Sequence, residues 1–198
     1  MIKTVESVTE GHPDKICDQV SDALLDEYLK QDPDSRVAVE TFGGHNLLLI
    51  GGEVTTKAQV EPEFIATKLY KEIGYTNELE ILVHIQKQSP DIAMGVDKGG
   101  AGDQGIMYGF ACNETSEFLP KSIVMVHNLT KRLAFLRKNH PKFGWLGPDG
   151  KAQVTFQDNK VKTIVVSTQH LRDIEDETLH SLLISHLVEP VAGDINGV

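Results

Sequence analysis

The chain has 198 residues, of which 40% are apolar and 24% charged, an ordinary composition for one or two globular domains. Its 29 acidic and 19 basic side chains give a formal net charge of −10, which argues against nucleic-acid binding through a general basic surface. Because no apolar run approaches the roughly 20 residues of a membrane span and the first ten residues lack the basic and apolar regions of a signal peptide, we expect a cytoplasmic protein without a membrane partner.

The first half of the chain alternates between strand and helix patterns. In chain order, the periodicity predicts a strand at 2–8, a helix at 13–30, a hairpin of strands at 36–42 and 47–55, a helix at 62–73 and a strand at 79–86. Pro13 suits the first turn of a helix, where its missing N–H needs no partner. The apolar stripe predicted for this helix consists of Ile16, Val20, Ala23, Leu24 and Tyr28, with Leu25 at its margin.

The second half follows the same order after a glycine-rich interruption. Residues 88–105 hold five of the 17 glycines, which predicts a loop. Beyond it, the pattern predicts a strand at 106–112, a helix at 121–138, a hairpin of strands at 151–156 and 161–168, and a helix at 175–188 that ends at Pro190. The shared order suggests an α+β fold of repeated units, each a sheet covered on one face by helices. The second unit would lack its closing strand.

The densest group of chemically capable side chains lies at the predicted start of the first helix, at His12, Asp14 and Lys15. A helix N-terminus attracts phosphate, and a carboxylate beside it can bind the Mg²⁺ that accompanies phosphate. The alternative is that Asp14 only complements the helix dipole and His12 only caps the helix. Spacing alone favours this alternative.

Further candidates are dispersed. Glu40 shares a strand face with Ala38 and Phe42, and Glu53 follows paired glycines; each carboxylate could bind a metal ion or an ammonium group, or simply face solvent. Lys151, after Asp149 and Gly150, could reach a phosphate or could only increase solubility.

Two local patterns miss familiar motifs. The run 99–105, which contains Asp103, has neither the Walker spacing nor a full GxGxxG, so a simple loop is the default interpretation. Residues 167–170, Ser-Thr-Gln-His, do not have the spacing of a catalytic triad.

Taken together, several segments resemble S-adenosylmethionine synthetase, also called methionine adenosyltransferase. The resembling segments are 6–15 (ESVTEGHPDK), 87–92 (KQSPDI), 100–105 (GAGDQG), 113–115 (NET), 153–156 (QVTF) and 167–170 (STQH). The hexapeptide GAGDQG is a signature of the family. The resemblance extends in register along nearly the whole chain, with an N-terminal domain at 1–98 and a central domain at 99–198.

The resemblance implies that methionine sulfur attacks the 5′ carbon of ATP and that the released triphosphate is hydrolysed. It also implies roles for particular residues. The implied catalytic residues are His12 and Lys151; the implied ATP-binding residues are His12, Lys15, Asp149, Gly150 and Lys151; the implied methionine-binding residues are Glu53, Gln88 and Asp103. Asp14 corresponds to a Mg²⁺ ligand and Glu40 to a K⁺ ligand. The implied gating loop consists of Gln88, Ser89, Pro90, Asp91, Ile92, Ala93, Met94, Gly95 and Val96.

Two departures from the family accompany these expectations, a shorter gating loop and a missing third domain. Gly150, where the family usually has alanine, is a mild change. The family's third domain is absent, so we expect little or no adenosyl transfer from this chain alone. Family members are homodimers or homotetramers whose active sites lie between subunits. The alternatives are a non-catalytic fragment that binds nucleotide or regulates a partner subunit, and a structural fragment without a ligand.

Overall fold

A computed structural model describes residues 1–88 and 104–193. The elements are β1 Ile2–Val8, α1 Pro13–Gln31, β2 Arg36–Gly44, β3 Leu47–Thr55, α2 Pro62–Ile73, β4 Glu80–Gln86, α3 Lys121–Asn139, β5 Leu146–Gln157, β6 Lys160–His170, α4 Asp176–Leu183 and α5 Glu189–Ala192. The mixed α+β class and both hairpins are confirmed. Within the described ranges, no helix combines the length and apolar character needed to cross a bilayer.

The chain divides into two compact units, which we name by their positions in the sequence. The terminal unit contains Met1–Lys15 and the segment from Phe110 onwards, and the middle unit contains Ile16–Gly109. The two units therefore do not follow one another along the chain, because the first strand lies in the same unit as the second half of the chain.

The terminal unit is built on an antiparallel sheet with the order β1-β5-β6. β1 pairs with β5 from Ile2 opposite Gln157 to Val8 opposite Lys151. Helix α3 packs on both strands. The buried core comprises Val126, Leu129, Leu133, Leu136, Phe143, Leu146, Ala152, Val154, Phe156, Leu183, Leu187 and Val188. The repeat that element order suggested is not confirmed, because β1 pairs with the second hairpin.

The strand predicted at 106–112 is wrong. These residues adopt no regular structure, and the side chains of Ile106, Met107 and Phe110 are exposed. β5 already has β1 on one side and β6 on the other, so this segment could extend the sheet only at an outer edge, and it pairs with neither β1 nor β6. Gly105 and Gly109 also weaken strand formation locally.

The middle unit has a sheet with the order β2-β3-β4, antiparallel between β2 and β3 and parallel between β3 and β4. Helices α1 and α2 contribute to its core. The buried residues are Ile16, Val20, Leu24, Tyr28, Leu48, Ile50, Val54, Ala66, Tyr70 and Ile73. This confirms the apolar stripe of α1 at Ile16, Val20, Leu24 and Tyr28, whereas Ala23 is only half-buried and Leu25 is exposed. Gly74 ends α2 with a φ of 121°, as its position after the last helical residue predicted.

The last helical segment continues past Pro190, where the sequence predicted its end. A π-helical turn, Ile184–Val188, joins α4 to α5, which runs to Ala192. Proline has no N–H to donate to the carbonyl four residues earlier. That carbonyl belongs to His186, and it accepts a hydrogen bond from Arg132 Nε instead. The arginine therefore compensates for the bond that proline removes.

We expect Gly52→Ala to destabilise the middle unit by about 3 kcal/mol or more. Gly52 has a φ of +135°, and a Cβ built there would lie 2.0 Å from the carbonyl oxygen of Ala38 on the paired strand. Urea denaturation measures the loss. Gly44→Ala is the matched control, because a Cβ at that position meets no atom within 4 Å. Equal stability of the two variants would contradict the close approach of β2 and β3.

Candidate functional site

The loop between β1 and α1 docks on the start of β5. The backbone N–H of Thr9 donates to the carbonyl of Gly150 at 2.8 Å, and that of Gly11 donates to the carbonyl of Pro148 at 3.2 Å. The buried Thr9 hydroxyl donates to the same Pro148 carbonyl at 2.7 Å. These bonds extend the β1–β5 pairing beyond Val8 and bring residues 9–12 into contact with residues 148–150.

Glycine is required at position 11, the closest point of this contact, and a small residue is favoured at position 150. A Cβ on Gly11 would lie 2.4 Å from the carbonyl carbon of Pro148. A Cβ on Gly150 would lie 2.8 Å from Cδ2 of Leu133, a buried side chain on the inner face of α3. Both distances are far below ordinary contact. The small residues therefore let the two segments and α3 meet without displacing the core.

The docked segments form one wall of a cleft of about 300 Å³ in the terminal unit. Its lining residues are His12, Asp149, Gly150, Lys151, Ser167, Thr168 and Gln169. Four of them, His12 and residues 149–151, were candidates from sequence. The structure thus brings together two candidate segments that lie more than a hundred residues apart in the chain.

His12 is oriented by the first residues of α1. The backbone N–H of Asp14 donates to Nδ1 of His12 at 3.3 Å, which makes Nε2 the donor atom of the neutral ring. The Asp14 carboxylate lies 3.8 Å from the same Nδ1, and its side chain is 89% exposed. Lys15 follows it and is half-buried. His12 therefore offers a hydrogen-bond donor with an accessible carboxylate beside it.

Lys151 is held by an acidic residue that the sequence analysis did not identify. Its Nζ lies 2.8 Å from Oε1 of Glu6 on β1, and Gln153 donates to Oε2 of Glu6 at 3.3 Å. The hydrogen bonds from Lys151 and Gln153 lower the pKa of the Glu6 carboxyl. No local sequence pattern indicates this pair, because only the pairing of β1 with β5 places Glu6 beside Lys151.

Asp149 is the acidic residue among those that line the cleft, and it is half-buried. Burial raises the pKa of its carboxyl, and this effect outweighs the opposing influence of His12 and of the Gly150 N–H. The backbone around Asp149 is tied to β6, since Gln169 Oε1 accepts from its N–H at 3.5 Å and the Thr168 hydroxyl donates to its carbonyl at 3.4 Å. Residues 167–169 thus support the cleft, although their spacing excluded a triad.

The other candidates lie elsewhere. In the middle unit, Glu40 is an exposed residue opposite Gly51, and Glu53 lies opposite Ala38 and Gln86. Gln88 has a buried Oε1 with no hydrogen-bond partner among the described residues. Asp103 and the gating-loop positions 89–96 lie outside the described residues.

No group of three His, Cys, Asp or Glu side chains within residues 1–88 and 104–193 is arranged to hold a metal ion. Mg²⁺ seldom requires such a group, since it commonly binds through one or two carboxylates together with substrate phosphates and water. The accessible Asp14 beside the cleft fits that mode of binding.

Comparison with known proteins identifies two matching family models. The model described as S-adenosylmethionine synthetase, N-terminal domain, matches residues 1–90, and that for the central domain of the same enzyme matches residues 98–196. The chain is similar to the S-adenosylmethionine synthase of Treponema denticola, with 45% identity over 96% of this chain and 54% of that protein. It is also similar to the proteins of the same name from a Synechococcus species and from Trichormus variabilis, each with 46% identity over 97% of this chain and 54% of the relative. The chain spans about half the length of these curated relatives.

We expect Asp149→Asn to stabilise the chain at neutral pH, raising Tm by about 1–3 °C. Because the folded pKa of Asp149 is raised above its ordinary value of 3.8, the folded state binds the proton more tightly than the unfolded state. Stability from this group is therefore present at low pH and is lost as pH rises through the unfolded and then the folded pKa. The amide in the variant Asp149→Asn stays neutral at every pH, so the variant does not lose this stability as pH rises.

Thermal denaturation of both forms between pH 3 and pH 8 measures the effect. The advantage of Asp149→Asn should shrink as pH falls towards about 3, where the native carboxyl is also neutral. Asp158→Asn is the control, since that aspartate is an exposed turn residue paired with the N-terminal amine. An advantage that grows towards low pH would contradict the sign of the pKa shift.

Proposed function

Because this chain belongs to the S-adenosylmethionine synthetase family, we propose that it acts in the transfer of the adenosyl group from ATP to L-methionine, with the cleft of the terminal unit binding the polyphosphate of ATP. The supporting observation is the convergence of His12 and residues 149–151 on one cleft. A donor atom on His12 and the ammonium group of Lys151 suit an anionic ligand, and the start of α1 adds its dipole.

The chemistry requires electrostatic stabilisation more than proton transfer. The methionine sulfur forms a bond to the 5′ carbon as the bond from that carbon to the triphosphate oxygen breaks, and the triphosphate leaves with the electron pair. The triphosphate is then hydrolysed to pyrophosphate and phosphate. A thioether needs no general base, so the barrier depends on orientation and on stabilising charge on the leaving polyphosphate.

In this proposal His12 and Lys151 are the catalytic residues that contact the polyphosphate. Lys15, Asp149 and Gly150 complete the ATP-binding set. Lys151 must exchange the Glu6 carboxylate for a phosphate oxygen, since the two anions compete for one ammonium group. Glu6 keeps Lys151 ordered in the absence of ligand and at the same time lowers its affinity for phosphate.

The proposal includes metal ions that the residues of the chain can accommodate. Asp14 would hold Mg²⁺ beside the cleft, and Glu40 would hold K⁺ on the exposed face of β2. When bound, Mg²⁺ supplies positive charge that offsets the polyphosphate. The role of Asp14 itself is to present one accessible carboxylate next to His12.

Methionine recognition is assigned to Glu53, Gln88 and Asp103. The buried Oε1 of Gln88, which has no hydrogen-bond partner among the described residues, supports this assignment. A buried acceptor is stabilised when an ammonium group donates a hydrogen bond to it. We further propose that residues 1–98 and 99–198 correspond to the family's N-terminal and central domains, and that the chain functions in a homo-oligomer.

Two variants with opposite expected signs test the polyphosphate site. We expect Lys151→Met to weaken binding of inorganic tripolyphosphate about tenfold or more, because the ammonium group is lost, and Glu6→Gln to strengthen it about two- to fivefold, because a competing carboxylate is lost. Isothermal titration calorimetry gives both dissociation constants. Lys162→Met, on the exposed side of β6, is the control. If Lys151→Met bound as tightly as the control variant, the cleft would not be the polyphosphate site.

The activity itself is tested by incubating the chain with ATP, methionine, Mg²⁺ and K⁺ and measuring S-adenosylmethionine by chromatography. We expect any product to disappear in His12→Ala, since the family resemblance assigns this residue to the phosphates. Stabilisation of the chain by ATP without product would favour a non-catalytic nucleotide-binding role. Product formed equally well by His12→Ala would contradict the assigned role of His12.

A further inference from the structure

We propose that Glu10 is a positioning residue that fixes the loop 9–12, and with it His12, at the cleft of the terminal unit. Glu10 does not line the cleft. It lies between Thr9 and Gly11, whose backbone groups dock on residues 148–150. The functional consequence rests on the polyphosphate-binding role proposed above, whereas the structural part stands on contacts of the ligand-free chain.

The side chain of Glu10 attaches the loop to helix α3, whereas the backbone of the loop is hydrogen-bonded to residues 148–150. Its Oε1 lies 2.5 Å from Nη2 of Arg137, and its Oε2 lies 2.5 Å from Nζ of Lys138. Both cations belong to the last turn of α3. Each carboxylate oxygen therefore forms a short charge-assisted bond, which is stronger and more directional than a bond between neutral groups.

The burial of these groups distinguishes them from an ordinary surface ion pair. The side chains of Glu10 and Arg137 are only 23% and 14% exposed. By contrast, the pair of Glu27 and Lys30 on the surface of α1 has a 3.4 Å separation, with the lysine side chain 75% exposed. Exposed ion pairs are screened by water and contribute little to stability. In a partly buried pair, less water can reach the charged groups and replace their mutual hydrogen bonds, so the pair keeps its geometry.

Helix α3 is a rigid base for this attachment. It packs on β1 and β5, and Leu129, Leu133 and Leu136 bury its inner face. The loop is consequently fixed from two sides: by backbone hydrogen bonds to residues 148–150 and by the Glu10 carboxylate to α3. His12 follows two residues later, so its position at the cleft depends on both attachments.

The test compares Glu10→Gln and Glu10→Asp with the wild-type chain, using Glu27→Gln as the control. The first readout is hydrogen exchange of the Gly11 and His12 amides, measured by NMR without ligand. These amides donate to the carbonyls of Pro148 and Thr9. We expect their exchange to be about fivefold faster or more in Glu10→Gln, intermediate in Glu10→Asp and unchanged in Glu27→Gln, with Leu133 unaffected throughout.

The second readout is the affinity for inorganic tripolyphosphate, which should fall about three- to tenfold in Glu10→Gln and partly recover in Glu10→Asp. Unchanged exchange at Gly11 and His12 would overturn the positioning role, and so would faster exchange across the whole unit, which would indicate only lost stability. A wild-type chain that does not bind tripolyphosphate would contradict the proposed function, while the exchange comparison would still decide the role of Glu10 in fixing the loop.

Discussion

The pairing of β1 with β5 is the constraint on which the candidate site depends. Seven consecutive residue pairs align the first strand of the chain with a strand that begins more than 130 residues later. The pairing ends at Val8 and Lys151, and the chain then turns immediately into Thr9 and His12. Loop docking, the ion pair of Glu6 with Lys151 and the shared cleft all follow from this register. A shift by one residue would move Lys151 to the opposite face of the sheet.

The charges around the cleft are consistent with the proposed ligand, an anionic polyphosphate that binds together with cations. His12 and Lys151 are donors, but Glu6 competes for Lys151 and Asp149 lies in the same cleft. A chain with a net charge of −10 does not concentrate positive potential by composition. In the proposed complex, affinity therefore comes from individual groups: the N-terminus of α1, the ammonium group of Lys151 and the donor atom of His12. Added cations would offset the remaining repulsion.

Local patterns predicted most elements and named four residues that line one cleft, His12 and residues 149–151, whereas long-range strand pairing could not be predicted from them. Pro13 and Gly74 marked helix ends correctly because their effects are local. Periodicity could not reveal that β1 pairs with β5, and so it could not identify Glu6 or Glu10. The strand expected at 106–112 was wrong for the same reason, since alternation says nothing about an available neighbour. Pro190 did not end its helix because a distant side chain, Arg132, satisfied the freed carbonyl.

The most direct measurement is a titration of the ¹⁵N-labelled chain with inorganic tripolyphosphate, monitored by amide chemical shifts. We expect the amides of Gly11, His12, Gly150, Lys151 and Thr168 to shift together with one dissociation constant. Two of these segments, residues 9–12 and 148–151, are joined by hydrogen bonds that extend the β1–β5 register. Shifts confined to one segment, or located outside the cleft, would contradict the convergence of these residues on a single polyphosphate site.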